Sequence, residues 1–272
     1  MSDAFLAIER GPRGSVVARA HARSPLALRT PHNHGHAAWV FTSSHGGGLV
    51  AGDDVRLSVS VGEDAALVLA TQASTKVYRS PSGGAADPRL ARLETDVSVD
   101  RGGLACLLPD PLVAFRDARL AQRACIHLRE GGSAIVWDPV GAGRVSRGER
   151  WDFQLLETHV TIDGPGGRIL TESTRLCPAE SRAFADLGAF DAFGVLVLIG
   201  PRLAPMAGAL LGRTRGDPAS HDGLLFTASP LFDGAILRVA APSTAALLVC
   251  VRSWLRELPD LLGDDFFARR SF

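Results

Sequence analysis

The sequence predicts a mainly β protein of many short strands in a coiled or layered arrangement, with a few helices toward the C-terminus. Three observations point there. Val55, Leu57, Val59 and Val61 alternate with polar neighbours, the period-two pattern of a half-buried strand. Turn signals carrying glycine recur between such runs, at Val61-Gly62-Glu63-Asp64, Asp100-Arg101-Gly102-Gly103, Arg129-Glu130-Gly131-Gly132 and Ile162–Gly167. Helical periodicity is confined to late segments.

In chain order, further strands are expected at Ala66–Ala70, Leu90–Val99, Ala105–Leu108, Leu120–Leu128, Ala134–Val136, Trp151–Ile162 and Arg168–Leu176. Leu57–Leu67, Thr95–Ala105 and Ala124–Ala134 resemble one another: a strand, a charged turn with a small residue, then a strand opening on small residues. Spacings of roughly 30–40 residues suit a coiled or layered β architecture. The alternative is a set of similar hairpins. Pro205–Leu211, ended by Gly212, and Ser243–Arg256, capped by Ser243 or Thr244 and stopped by Pro259, read as helices. Gly212–Gly223 reads as a polar loop. No linker divides the chain, so residues 1–272 read as one domain.

Composition narrows the function classes. A chain 46% hydrophobic and 21% charged is ordinary for a soluble globular protein. Its net charge of zero leaves no nucleic-acid footprint and favours association with a partner. The start, MSDAFLAIERGPRG, predicts no signal peptide. The longest apolar run, Phe193–Ile199, is too short to span a bilayer. Cys106, Cys125, Cys177 and Cys250 are widely spaced with no C-x-x-C pair, as suits buried cytosolic thiols better than a disulfide framework or a zinc site.

Among the motifs, Gly46–Asp54 lacks the Gly-Lys-Ser/Thr ending of a phosphate loop and precedes a strand, so it reads as a close-packed turn ended by Asp53. His32, His34 and His36 alternate; extended, they would point one way toward a divalent metal, and in a loop they would stay solvated. Asp110 in Leu108-Pro109-Asp110-Pro111 and Asp138 in Trp137-Asp138-Pro139 read either as turns or as carboxylates at a cavity mouth. Arg144 and Arg147 read as a carboxylate clamp and Glu149 with Asp138 as an acid/base pair, or the segment as a salt-bridged turn served by pairing across the core with Glu172 or Glu157. No Ser-His-Asp order, H-E-x-x-H or Cys/His nucleophile signature is present. Within Thr71-Gln72-Ala73-Ser74-Thr75-Lys76-Val77-Tyr78-Arg79-Ser80 stand the chain's one lysine and one tyrosine, while every other strong cation is arginine. A compact ammonium and a phenolic hydroxyl are therefore kept there against the compositional drift.

In order, Gly47–Asp53, Thr71–Ser80, Leu108–Pro111 with Phe115, Asp138, and Gly143-Arg144 through Gly148-Glu149 resemble the urease accessory protein family UreD (UreH). The match is good over residues 40–176 and looser beyond. Ala51 and Ser74 depart from the family's usual Gly and Ala. The resemblance implies a β-helix-like layered scaffold with a few C-terminal helices. It also implies a cytoplasmic, non-enzymatic chaperone binding urease apoprotein and a UreF-type accessory protein, and through the latter a UreG-type GTPase. No tightly bound cofactor is implied; nickel passes in transit, through an internal tunnel. On that basis Asp53, Asp110, Asp138, Glu149 and Glu172 are candidate weak nickel ligands, with His32, His34 and His36 in a loop. Lys76 and Tyr78, flanked by Thr71 and Gln72, are expected to brace the scaffold, the ammonium on carbonyls or on Asp53 or Asp110. A β-helical carbohydrate-active enzyme using Asp138 and Glu149, and a histidine-loop metal-binding module, are the rival readings.

Overall fold

The computed structural model describes residues 2–79, 90–180, 188–214 and 223–268. Strands β1 (Ser2–Arg10), β2 (Ser15–His21), β5 (Asp54–Val61), β8 (Ala91–Val99), β11 (Arg119–Leu128), β13 (Leu155–Gly164) and β14 (Gly167–Leu176) form one sheet. Its order is β14-β13-β11-β8-β5-β1-β2. The second sheet runs from β16 (Leu225–Leu231) through β17 (Gly234–Ala241), β15 (Ala192–Ile199), β12 (Ser133–Gly141), β9 (Leu104–Leu107), β6 (Ala66–Thr71) and β4 (Ala38–Ser44) to β3 (Leu26–Arg29). Short strands β7 (Lys76–Val77) and β10 (Leu112–Ala114) pair with each other, and β10 also pairs with β12.

The chain alternates between sheets as it advances: β4 to β5, β5 to β6, β8 to β9, β11 to β12, each crossing from one sheet to the other. Neighbours within each sheet are therefore parallel in the middle (β1-β5-β8-β11-β13 and β4-β6-β9-β12) and antiparallel only toward the edges. The result is the expected helix-like winding of layered strands.

The three similar segments are successive turns of this winding, and not hairpins. Leu57, Thr95 and Ala124 stand opposite one another in the first sheet, and Leu67, Ala105 and Ala134 in the second. The equivalent turn residues Asp64, Gly102 and Gly131 all take a left-handed φ, of 52°, 68° and 77°. The turns also stack: Asp64 N–H donates to the Arg101 carbonyl (3.1 Å) and Gly102 N–H to that of Gly131 (3.2 Å). The glycines are there because this conformation is costly for a residue with a Cβ.

One core lies between the sheets, built on the inward residues of β5 (Val55, Leu57, Val59, Val61) and their neighbours such as Leu120, Ile126, Leu156 and Ile162. A second lies between the second sheet and helices α1 (Ala204–Arg213), α2 (Thr244–Trp254) and α3 (Leu258–Leu262), using Leu196, Leu210, Leu247 and Trp254. Covered on both faces, β12 is buried along its whole length. Ser243 caps α2 as expected, its Oγ accepting from Ala246 N–H at 3.1 Å. Pro259, read as a stop, opens α3, where its missing N–H falls among the unpaired donors of a first turn. Gly212 does not end α1, which runs on to Arg213; the Thr214 hydroxyl donates to the Leu210 carbonyl (3.0 Å). Of the expected polar loop, residues 215–222 lie outside the described residues. The strand expected from Trp151 begins at Leu155, because Trp151 has φ 51° and stacks on Phe193.

Candidate functional site

The second sheet has a gap. Pairing of β12 with β9 ends at Val136↔Leu107 and resumes with β10 at Leu112↔Val140. Pairing of β6 with β9 ends at Leu69↔Leu107, and β7 picks up β10 at Lys76↔Val113. Segments 72–75 and 108–111 thus separate β6 from β7 and β9 from β10 at one level, and residues 137–139 of β12, still paired with β15 on the other side, have no partner strand on this side. Pro109, Pro111 and Pro139 fall in the interruption, where a residue without an N–H removes no ladder bond. Behind the gap, between the sheets, is a cavity of about 400 Å³ lined by Thr71–Lys76, Asp110, Gln122, Arg123, Asp138 and further apolar and hydroxyl residues of both sheets. The two Pro-flanked acids, far apart in sequence, share this chamber. Trp137-Asp138-Pro139 is no turn but the middle of β12.

Asp138 is 8% exposed and its Oδ1 accepts from Gln122 Nε2 at 2.7 Å. Burial pushes its carboxyl up to about 6, opposed by hydrogen bonds from Thr158 and Gln122 and reinforced by the charge of Glu172. Asp110 is 6% exposed; its N–H donates to the Thr71 hydroxyl (2.8 Å), which fixes the loop in which it stands. Gln72, Ala73, Ser74 and Asp110 also line a cavity of about 890 Å³ on the outer side, walled by α2 residues Ala245, Leu248, Val249 and Arg252. The inner chamber and this outer cavity share those four residues.

The motif strings pack on one another around the gap. Leu49 N–H donates to the Lys76 carbonyl (2.8 Å), Tyr78 N–H to that of Leu49 (2.9 Å), Val113 N–H to that of Thr75 (2.9 Å) and Phe115 N–H to that of Val77 (3.0 Å). A Cβ on Gly48 would lie 2.6 Å from the Lys76 carbonyl oxygen and 2.7 Å from the Tyr78 ring, so the glycine is required for close approach. Tyr78 meets Phe115 edge-on at 5.4 Å, and the Arg144 guanidinium lies 4.2 Å over the Phe115 ring. The brace at this segment is backbone and ring. The Lys76 side chain differs from expectation: it is exposed, and it forms no ion pair with Asp53, Asp110 or any other described residue.

The remaining candidates lie elsewhere. Asp53 accepts from Val50 N–H at 2.8 Å and closes the glycine turn, as read. Glu149 is buried in a two-pronged ion pair with Arg144, whose Nε donates at 2.8 Å; that contact holds its carboxyl below the usual range. The salt-bridged turn is thus internal to Arg144–Glu149, while Glu157 pairs with Arg175 and Glu172 with Arg238 (3.0 and 2.6 Å), joining β14 of one sheet to β17 of the other. Glu149 does not line the cavity on which Asp138 stands, as a glycosidase pair would require. Segment 31–37 is not a strand, so its histidines do not share a face: His36 Nε2 donates to the Leu261 carbonyl (2.8 Å) and His32 packs edge-on against His34. Among the described residues no three His, Cys, Asp or Glu side chains gather as a metal-ligand set. Arg147 stands on a 3-10 turn, Val145–Arg147.

Two residues that matter to the chamber went unread in the sequence. Gln122 and Thr158 hold Asp138, and each is a polar residue at an inward position of a strand (Leu120, Gln122, Ala124, Ile126; Leu156, Thr158, Val160, Ile162). That break in apolar alternation was the available signal.

Fold and chamber together define a wound two-sheet β scaffold with a cavity, carrying two buried carboxylates, behind a gap in one sheet. The chain belongs to the UreD urease accessory protein family, whose model matches residues 2–270. It is 43% identical over 257 residues to a urease accessory protein UreD of Sorangium cellulosum, covering 94% of this chain and 80% of that one. With the UreD of an Anaeromyxobacter strain it shares 39% identity, covering 96% of this chain and 87% of the relative. With urease accessory protein D of japonica rice it shares 27%, covering 94% and 91%. No helix among the described residues is long and apolar enough to cross a membrane.

Proposed function

We propose that this chain is a non-catalytic, cytoplasmic maturation factor for urease, holding a UreF-type protein, and through it a UreG-type GTPase, against the urease apoprotein while nickel passes through the chamber that holds Asp110 and Asp138. Family membership supports the role in urease maturation. The observation that carries the conduit is the placement of Asp110 and Asp138 on one internal cavity that shares its gap residues with a second, outer cavity. Carboxylate, amide and hydroxyl oxygens suit a borderline divalent cation that must be released again; a thiolate cage would retain it. Among the chamber's lining residues there is no cysteine. Asp138, its carboxyl raised by burial, is met by two neutral donors, Gln122 and Thr158, and by no cation among the described residues, which suits it to a passing cation.

Co-expression with UreF-type, UreG-type and urease subunits tests the assembly. A stable complex on affinity capture is expected, and failure to retain either the UreF-type protein or urease would refute it.

A further inference from the structure

Lys76, which also borders the inner chamber, and Arg147 line a neighbouring cavity of about 700 Å³, whose other lining residues include Tyr78, Phe115, Arg144, Ser146, Asp191 and Ser243. Two of its charges are already answered. Arg144 is committed to Glu149, and Asp191 to Arg150. Lys76 and Arg147 are exposed and make no ion pair among the described residues, which leaves the cavity with two uncompensated positive charges. They stand on fixed elements: Lys76 on β7, paired to β10, and Arg147 at the end of a turn closed by Gly148 at φ 74° and pinned by the Arg144–Glu149 pair.

Like charges facing one concavity with partly apolar walls (Phe115, Val113) repel each other and raise the local concentration of anions. Hydroxyls of Ser146 and Tyr78 line the same space, and Ser243, whose Oγ accepts from Ala246 N–H, keeps its own O–H as a donor. The sequence adds an independent sign, since the only lysine of the chain is kept here, where three rotatable donors on a compact charge are available.

We propose that this cavity is an oxyanion site, binding a phosphate-type anion between Lys76 and Arg147. This goes beyond the nickel reading and stands without it. The test is calorimetric titration of the full chain with pyrophosphate at fixed ionic strength, with no nickel or partner present. Saturable one-to-one binding is expected, weakened about tenfold by Lys76→Gln and about tenfold by Arg147→Gln, as loss of a charge-assisted hydrogen bond implies. Arg101→Gln, at an exposed residue paired with Glu63, should bind as the parent does. No saturable binding by the parent chain, or equal binding by all variants, would overturn the proposal.

Discussion

Replacing Asp138 by Asn should make the protein more stable at neutral pH. The folded-state carboxyl is raised from 3.8 to about 6 by burial, so the folded protein disfavours the ionised form. A rise of about two units corresponds to about 3 kcal/mol of destabilisation at pH 7 and above, an upper bound because Asn must also leave water. The sign is that of a raised acid: the destabilisation is full above pH 6, fades as pH falls from 6 through 3.8, and is gone only below 3.8, where folded and unfolded chains are both protonated. Asn keeps the shape and the polar partners, since its carbonyl can accept from Gln122 and its amide can donate to Thr158. Urea denaturation of parent and Asp138→Asn at pH 7.5 and pH 4.5 reads the difference directly. A gain of roughly 1–3 kcal/mol at pH 7.5 that shrinks toward zero at pH 4.5 is expected. Equal or lower stability of the variant at pH 7.5, or the same gain at both pH values, would refute the reasoning.

Other substitutions separate scaffold from conduit. Gly48→Ala drives a methyl into the Lys76 carbonyl and the Tyr78 ring and should destabilise by about 1–3 kcal/mol in thermal melts. Glu149→Gln removes half of the Arg144 pair; because that pairing depresses the carboxyl, the loss of stability should be present at neutral pH and vanish as pH falls below the ordinary Glu range. Glu149 does not line the chamber, so nickel delivery by this variant should equal that of the parent. Brief alkylation at pH 8 followed by mass spectrometry should leave Cys106 and Cys250 unmodified, since burial pushes both thiols up to about 12; label should appear at the partly exposed Cys125 and more slowly at Cys177, whose thiol is also raised by partial burial and by Glu180.

The winding was legible because each turn of it repeats the same local demand: an alternating strand, a left-handed turn residue, a strand opening on small side chains. Strands β1 to β4 and β15 to β17 are not marked in this way: β15 is apolar at nearly every position and so shows no alternation, and the early strands carry a weaker signal. On β2 most residues are exposed, so no apolar alternation marks it, and β4 is buried only over Ala38–Val40. Pro139 shortened the reading of β12, since proline in a central strand is tolerated only where the ladder is already broken, and that break is a property of the neighbouring strands. The same holds at the site. Asp110 and Asp138 announced themselves by their prolines, but their convergence depends on the register of β9, β10 and β12. Lys76 was read as an internal brace because its rarity was visible and its exposure was not. The side chain that does the bracing there is Tyr78, held by Gly48 and Phe115.

The conduit is tested most directly by nickel content. Asp110→Asn/Asp138→Asn, co-expressed with UreF-type, UreG-type and urease subunits, preserves the side-chain shapes in the gap while removing both charges. The complex should assemble in full, and the urease recovered from it should carry much less nickel than that matured by the parent chain. Urease fully loaded with nickel from an intact complex containing this variant would contradict the account.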